Sequence, residues 1–318
     1  MKIVVLDRLP LDPGDLDWSR IAALGELVMY DSTSPAETAA RIRDADVVLT
    51  NKVRLTADTL ATAPALRLAS VLATGYDVVD VTAAKQRGIT VCNVPAYSAA
   101  FTAQTAIALL MELTHHAGAH GDQVRAGDWS RSKTFSYWTS PLVQLAGKVA
   151  VIAGMGSIGR RVAGILSALD MRVIAAQLPG REASGASPYE RLPLDEALTM
   201  ADVLSLHMPL TSQTREIVNA ALVARMKPTA LIVNSSRGGL VNERDLADAL
   251  LHGTISGYAA DVLSTEPPAA DNPLLTAPHC VITPHIGWAA PETRAALVNV
   301  AAGNIEAWLG GHPQNVVS

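Results

Sequence analysis

Short runs of Val, Ile, Leu and Ala alternate with stretches of helical character along most of this sequence. They form two series, at residues 3–6, 47–49, 66–73 and 89–92, and then at residues 149–153, 173–176, 203–206, 231–234 and 255–260. Continuous apolar runs of this length are typical of parallel strands buried on both faces, and the stretches between them favour βαβ units. The pattern therefore predicts an α/β chain with two doubly wound parallel-sheet lobes.

Size and composition agree with two folded lobes. The 318 residues exceed the length at which one core usually stops growing, and 49% apolar against 17% charged residues can supply large cores. A net charge of -5 predicts no general attraction to nucleic acid or to an anionic membrane. Only two cysteines occur, each in an apolar run, so we expect no disulfides and a reducing cytoplasm. No run is long and apolar enough to predict a membrane span.

Three segments outside the two series also have recognisable patterns. Residues 98–116 carry apolar side chains at helical spacing without internal Gly or Pro, which predicts a long connecting helix. Residues 118–147 are rich in Gly, Ser and aromatic side chains without a clear period, and we expect a loop-rich excursion or an interface. After Pro291 a further helix is predicted until Gly310.

A glycine-rich turn follows the first strand of the second series. Strand residues 149–153 lead directly into Gly154, Met155, Gly156, Ser157, Ile158 and Gly159, and then into a helix-compatible stretch. In a dinucleotide-binding turn the three glycines make the tight turn, admit the pyrophosphate and let the helix pack closely on the strand. Glycines that serve only a tight turn are the alternative, and the strand and helix on either side favour the dinucleotide site. The N–H groups of Ser157 and Ile158 would face the phosphates.

The strand after this helix leaves the choice between NAD and NADP open. An acid that binds the ribose 2′-hydroxyl is expected at its end, but the chain has Gln177 there. A glutamine can bond to a ribose and does not repel a 2′-phosphate. Arg181 follows four residues later and is a candidate partner for that phosphate, although it could equally be a solvated loop arginine.

Three later segments resemble the D-isomer-specific 2-hydroxyacid dehydrogenases. They are Asn-Ser-Ser-Arg-Gly-Gly-Leu-Val at 234–241, Asp-Val-Leu-Ser-Thr-Glu-Pro-Pro at 261–268 and Thr-Pro-His-Ile-Gly-Trp at 283–288. The resemblance covers nearly the whole chain in the family's order and spacing. It implies a Rossmann cofactor domain at 99–286 inserted in a flavodoxin-like substrate domain at 1–98 and 287–318.

The resemblance also implies a catalytic set of Arg237, Glu266 and His285. An arginine fork can hold the carboxylate and polarise the carbonyl of a 2-oxo acid. Histidine titrates near neutral pH, so His285 suits a general acid in reduction and a general base in oxidation, and Glu266 would orient the ring and favour the imidazolium. Taken singly, these residues could be a surface ion-pair former, a loop carboxylate and a core histidine.

Further contacts are carried over from the family to matching positions. Those expected at the substrate are Asn51, Thr74, Gly75, Tyr76 and Trp138, with the N–H groups of Gly75 and Tyr76 receiving the carboxylate. Those expected at the cofactor are Met208, Pro209, Thr214, Ser235, Ser236 and Asp261. Asp261 would face the nicotinamide amide, or would otherwise be a helix cap or loop acid. The remaining histidines have no metal-ligand spacing, and we predict no metal site.

Within the family, the motifs look most like glycerate dehydrogenases (hydroxypyruvate reductases). This implies a small 2-oxo acid, hydroxypyruvate or glyoxylate first, while lactate-type acids stay open because few pocket contacts separate them. Glu266 stands where the formate dehydrogenase branch carries Gln, which disfavours that branch. The rival hypothesis is a dinucleotide-sensing corepressor, since one branch of the family binds partner proteins, but no basic or disordered segment supports it. A homodimer through the long helix and the aromatic segment is implied, with Trp138 reaching a neighbouring site.

Overall fold

The structure is a computed structural model that describes residues 1–180 and 187–318. Its strands are β1 (Lys2–Val5), β2 (Glu26–Met29), β3 (Val47–Thr50), β4 (Leu68–Val71), β5 (Thr90–Cys92), β6 (Val149–Ala153), β7 (Arg172–Gln177), β8 (Glu190–Pro193), β9 (Val203–Leu206), β10 (Leu231–Asn234), β11 (Gly257–Ala260) and β12 (Cys280–Ile282). Its α-helices are α1 (Ser19–Ala22), α2 (Pro35–Ile42), α3 (Ala57–Ala61), α4 (Val81–Gln86), α5 (Ala99–His115), α6 (Ala117–Arg125), α7 (Asp128–Arg131), α8 (Ser157–Ala168), α9 (Leu194–Met200), α10 (Ala220–Val223), α11 (Glu243–Leu251) and α12 (Pro291–Leu309). Two short 3-10 helices span Gly238–Leu240 and Pro273–Leu275.

The chain divides into two compact units, each with its own sheet. The first comprises Met1–Ser98 and Trp288–Ser318, and the second comprises Ala99–Gly287. Gly287, expected in the first lobe, lies in the second unit because its N–H donates to Asp261 and its carbonyl accepts from Thr102.

The first unit is a five-stranded parallel sheet in the order β2-β1-β3-β4-β5. Side chains of α12, including Leu297 and Ile305, pack on one face of this sheet, and Ile42, Leu60 and Ala84 from α2, α3 and α4 pack on the other. The strand order reverses between β1 and β3, and in such flavodoxin-like sheets ligands bind beyond the strand ends at that point.

The second unit is a seven-stranded parallel sheet in the order β12-β11-β10-β9-β6-β7-β8. Helices α5 and α8 cover one face, while α9, α10 and α11 cover the other. The order reverses between β6 and β9, which is the dinucleotide-binding arrangement. The predicted fold class, two doubly wound parallel sheets with a Rossmann domain, is confirmed.

Four elements differ from the sequence-based expectation, each for a physical reason. Strands β2 and β8 lie at sheet edges and are half exposed, so they lack the continuous apolar run that indicates a central strand. The segment at 118–147 was expected to be loop-rich, and this was wrong for its first part, which forms α6 and α7. Neither helix has a buried residue, so no apolar stripe was present to indicate it.

Residues 1–180 and 187–318 contain neither a membrane-spanning helix nor a metal-binding cluster. No helix there combines the length and the apolar character needed to cross a bilayer. No three His, Cys, Asp or Glu side chains in the same residues are grouped so that they could hold a metal ion.

Candidate active site

The three residues of the expected catalytic set follow three neighbouring strands of the second sheet. Arg237 comes after β10, Glu266 after β11 and His285 after β12, and these strands lie side by side in the order β12-β11-β10. All three strands run in parallel, so their carboxyl ends share one edge of the sheet. Open α/β sheets bind their ligands at this edge.

His285 and Glu266 form a hydrogen-bonded pair. Nδ1 of His285 lies 2.5 Å from Oε2 of Glu266, and the two side chains are 32% and 35% exposed. A carboxylate can only accept, so the hydrogen of the neutral ring is on Nδ1. The other carboxylate oxygen, Oε1, accepts the Leu263 N–H at 3.0 Å, which orients Glu266. Nε2 of His285 has no partner among the described residues and is the atom available for proton exchange.

Asp261 holds the loop that carries His285. Its buried carboxylate accepts hydrogen bonds from the Thr283 hydroxyl at 2.6 Å, the Ile286 N–H at 2.8 Å and the Gly287 N–H at 2.6 Å. His285 between them has φ +55°, in the left-handed region that residues other than glycine seldom adopt. The three bonds impose that backbone conformation, so Asp261 has a positioning role here that sequence reasoning missed.

Arg237 presents a guanidinium without an acidic partner. Nη1 donates to the Ser236 carbonyl at 2.8 Å, and no carboxylate in the described part of the chain lies within ion-pair distance. The backbone next to Arg237 packs closely on the backbone that leads to Glu266. A Cβ on Gly238 would come 1.9 Å from the Leu263 carbonyl carbon. An exposed arginine with free donors beside a His–Glu pair is suited to bind a small carboxylate.

The glycine turn after β6 has a distinct reason for each of its three glycines. Gly154 has φ +109°, and a Cβ there would lie 2.6 Å from the His207 carbonyl. A Cβ on Gly159 would lie 1.9 Å from the Gly154 oxygen, so only glycine lets α8 pack this closely on the turn. A Cβ on Gly156 would meet nothing within 4 Å, so its open side is free for a ligand.

The start of α8 is open to an anion. Gly156 is its N-cap, and no side chain caps the N–H groups of the first turn, which includes Ser157 and Ile158. Uncapped N–H groups and the positive end of the helix dipole favour a phosphate. The residues therefore fit the dinucleotide that the turn predicts.

The other residues expected at the cofactor tie neighbouring loops together. The Ser236 hydroxyl donates to the Met208 carbonyl at 2.6 Å, and the Thr214 hydroxyl donates to the Pro209 carbonyl at 2.8 Å. The Ser235 hydroxyl is buried and has no partner among the described residues. Buried hydroxyls without a partner are rare, so this one is a candidate contact for a ligand.

His207 lies beside these residues and was not among those expected at the cofactor. It follows β9, beside Gly154, and its Nε2 lies 2.8 Å from the Ser205 hydroxyl. Nδ1 is buried and, within the described chain, has no partner. Burial lowers the pKa of His207 to about 4, so the ring is neutral at pH 7. The signal that could have identified it is its position at the switch point between β6 and β9.

The adenosine end of the expected site is partly described. Gln177 ends β7 with an exposed side chain, as the chain pattern predicted. Arg181 lies outside the described residues. The Gln213 side chain comes from the loop after β9 and fills the space beside Gly180, where a Cβ would lie 2.2 Å from its amide oxygen.

In the first unit, the loop at 72–76 is held by side chains beneath it. Asn51 is buried, and its Nδ2 donates to the Leu72 carbonyl at 2.6 Å. The Thr74 hydroxyl donates to the Val94 carbonyl at 3.0 Å, and Asn93 Nδ2 donates to the Thr74 carbonyl at 2.7 Å. The N–H groups of Gly75 and Tyr76 donate to no described residue, so they remain available to an anion.

Trp138 lies in the aromatic segment of the second unit. Its side chain is 67% exposed, and those of Trp129 and Phe135 are 53% and 91% exposed. Exposed aromatic side chains grouped in one segment are typical of an interaction surface.

Comparison with known proteins adds independent findings. Residues 107–287 match the family model described as "D-isomer specific 2-hydroxyacid dehydrogenase, NAD binding domain". The chain is 46% identical to the hydroxypyruvate reductase of Blautia hydrogenotrophica over 100% of both proteins. It is 38% identical to the glycerate dehydrogenase of Methylorubrum extorquens over 99% of this chain and 98% of that protein.

A solved structure agrees with these sequence matches. The NADPH-dependent glyoxylate/hydroxypyruvate reductase of Sinorhizobium meliloti, crystallised with NADP and malonate, is similar with a TM-score of 0.86 and 28% identity. The match covers 100% of this chain and 96% of that one. The likeness therefore extends over both units of the chain.

Proposed function

The chain belongs to the D-isomer-specific 2-hydroxyacid dehydrogenase family, and we propose that it reduces hydroxypyruvate to D-glycerate, or glyoxylate to glycolate, with NADH or NADPH. The observation that carries the proposal is the His285–Glu266 pair beside the unpaired Arg237 at one sheet edge. The resemblance that the three sequence segments indicated is confirmed by the family match. The names of full-length relatives support the substrate class, and they do not favour the corepressor alternative.

The side chains divide the reaction between them. When bound, the dinucleotide supplies the hydride that attacks the carbonyl carbon of the 2-oxo acid. Arg237 polarises the carbonyl oxygen and binds the neighbouring carboxylate. His285 donates the proton from Nε2 to the developing alkoxide, and Glu266 on Nδ1 stabilises the charged ring before that transfer. One hydride and one proton convert the carbonyl group to the alcohol.

The first unit contains a candidate carboxylate site, the loop at 72–76. The N–H groups of Gly75 and Tyr76 are unbonded within the described chain, and adjacent free N–H groups in a bent loop bind anions. We propose that they receive the carboxylate, as the family resemblance implies. Asn51 and Thr74 would then stabilise the conformation of the loop, because the side chain of each donates a hydrogen bond to a backbone carbonyl.

A steady-state comparison tests the proposed function directly. We expect the purified protein to oxidise NADH or NADPH with hydroxypyruvate or glyoxylate, and to do so faster than with pyruvate. Chiral analysis of the glycerate formed from hydroxypyruvate should give the D isomer. If neither dinucleotide is oxidised with any of these acids, the proposal is wrong, and capture of a protein partner would be the next measurement.

Replacing Gln177 with aspartate is expected to make the protein selective for NADH. A carboxylate at the end of β7 can bond to the ribose 2′-hydroxyl but repels a 2′-phosphate, so NADPH affinity should fall by at least roughly tenfold while NADH affinity is retained. Titration of the two dinucleotides by nicotinamide fluorescence measures this. Gln123→Asp, on α6, is the matched control. Equal weakening of both dinucleotides in Gln177→Asp would show that position 177 does not face the ribose.

We also propose a homodimer that uses the aromatic segment. Phe135 and Trp138 expose large apolar surfaces there. Light scattering of the native protein should give twice the chain mass, and the double variant Phe135→Glu, Trp138→Glu should give one chain mass. Leu9→Glu, at a 58% exposed site in the first unit, is the control and should stay dimeric. A native protein with the mass of one chain would contradict the proposal.

The cytoplasmic location stays a prediction from cysteine usage.

A further inference from the structure

A buried aspartate sits at the point where the first sheet reverses its strand order. Asp7 follows β1 and is 5% exposed, and β3, which ends one residue before Asn51, is the neighbouring strand. This is the position at which flavodoxin-like sheets bind their ligands. No arginine, lysine or histidine among the described residues forms an ion pair with Asp7.

The carboxylate of Asp7 is engaged by the turn that follows β3. Oδ1 accepts the Asn51 N–H at 2.8 Å, and Oδ2 accepts the Lys52 N–H at 2.6 Å and the Val53 N–H at 3.2 Å. Burial raises the pKa of Asp7, while these three donors act in the opposite direction. The Lys52 charge also favours the ionised form, but it makes no ion pair with Asp7, and a buried carboxylate without such a partner lowers stability. Such an arrangement is expected where a site requires a fixed backbone.

The turn that Asp7 holds is hydrogen-bonded to the loop at 72–76. Asn51 donates its backbone N–H to Asp7 and its side-chain amide N–H to the carbonyl of Leu72. Leu72 is the first residue of that loop. The Leu72 N–H also donates to the Thr50 carbonyl at 2.7 Å, next to the turn. One continuous set of hydrogen bonds therefore joins Asp7 to the segment that carries the unbonded N–H groups of Gly75 and Tyr76.

We propose that Asp7 is a positioning residue for substrate: by fixing the 51–53 turn, it keeps the 72–76 loop in the conformation that offers Gly75 and Tyr76 N–H groups to a 2-oxo acid carboxylate. The inference rests on the proposed function, because it needs that loop to bind substrate. Asp7 acts through Asn51 and does not itself contact substrate. Its removal affects capture of the acid more than the chemical step.

The variant Asp7→Asn tests the inference. The amide keeps the size of the side chain but sets an N–H donor against the backbone N–H groups of the turn. We expect the KM for hydroxypyruvate or glyoxylate to rise by about 10- to 100-fold, the range produced by small misplacements of binding groups. We expect kcat and the Kd for NADH or NADPH to change little. The Kd of oxamate, an unreactive 2-oxo acid analogue, should rise in parallel with KM.

Asp12 offers a matched control in the same unit. It is also buried, and its carboxylate accepts the N–H groups of Gly14, Asp15 and Leu16 and the Trp18 indole N–H, away from the 72–76 loop. Asp12→Asn should lower the melting temperature by a similar amount and leave KM unchanged. If Asp7→Asn and Asp12→Asn have the same KM, Asp7 is merely structural and the inference is wrong.

A second variant covers the case in which Asp7→Asn does not fold. Asn51→Ser removes the amide that holds the Leu72 carbonyl and should raise KM and the oxamate Kd in the same way. Where both variants fold, the KM of the double variant should be no higher than that of the single variant with the larger increase, because both substitutions act through one set of hydrogen bonds. A normal KM in Asn51→Ser contradicts the inference. Absence of turnover in the unmodified protein would instead contradict the proposed function.

Discussion

Replacing His285 with asparagine is expected to lower kcat for 2-oxo acid reduction by about 10²- to 10⁴-fold, the usual contribution of a positioned general acid. The substitution removes the proton on Nε2 together with the ring that pairs with Glu266 through Nδ1. Asparagine is preferred to alanine because His285 has φ +55°, and asparagine tolerates the left-handed region. Dinucleotide affinity should be unchanged.

Two measurements separate this loss of chemistry from a loss of structure. Fluorescence titration with NADH or NADPH should give the native Kd, and the melting temperature should stay close to native. His252→Ala, at the exposed end of α11 in the same unit, is the control and should keep full activity. Near-native turnover by His285→Asn would remove His285 from the mechanism and leave the proton source unidentified.

Alanine at Gly156 should leave the protein folded but unable to hold its dinucleotide, whereas alanine at Gly159 should disturb the turn itself. At Gly156 the added methyl meets no atom of the chain, so it projects where the pyrophosphate must approach. We expect roughly a 100-fold loss of dinucleotide affinity, which corresponds to about 2.7 kcal/mol. At Gly159 the methyl would lie 1.9 Å from a backbone oxygen, and the melting temperature should fall as well.

Gly164→Ala is the matched control because Gly164 lies in the same helix, α8. An added methyl there would touch only the Tyr189 hydroxyl at 4.0 Å, and alanine favours a helix over glycine by about 1 kcal/mol. This variant should bind dinucleotide normally and melt no lower than the native protein. Native affinity in Gly156→Ala would show that the turn does not receive the pyrophosphate.

The strands of the two sheets show where sequence patterns succeed and where they fail. The central strands β6, β9 and β10 are buried on both faces and therefore carry continuous apolar runs, which a sequence displays directly. Edge strands β2 and β8 are half exposed and mixed in composition. Helix α6 buries no side chain, so its residues carry no periodic apolar signal.

The candidate site divides in the same way. Arg237, Glu266 and His285 lie in local motifs, so the family resemblance located them without a structure. Asp261 was expected at the nicotinamide, and its three bonds to the His285 loop join residues 22 to 26 positions apart. No periodicity or motif records bonds over such separations, which explains why that role was missed.

The two doubly wound sheets, the glycine turn and the residues of the proposed catalytic set could be predicted from the sequence, because buried strands, tight turns and motifs are local in the chain. How these parts are held together could be seen only in the folded structure. It brought the ends of β10, β11 and β12 to one edge, placed Asp261 under the His285 loop and joined Asp7 to a turn 44 residues away. Hydrogen bonds between distant residues depend on strand order and register, and these follow from packing of the whole sheet.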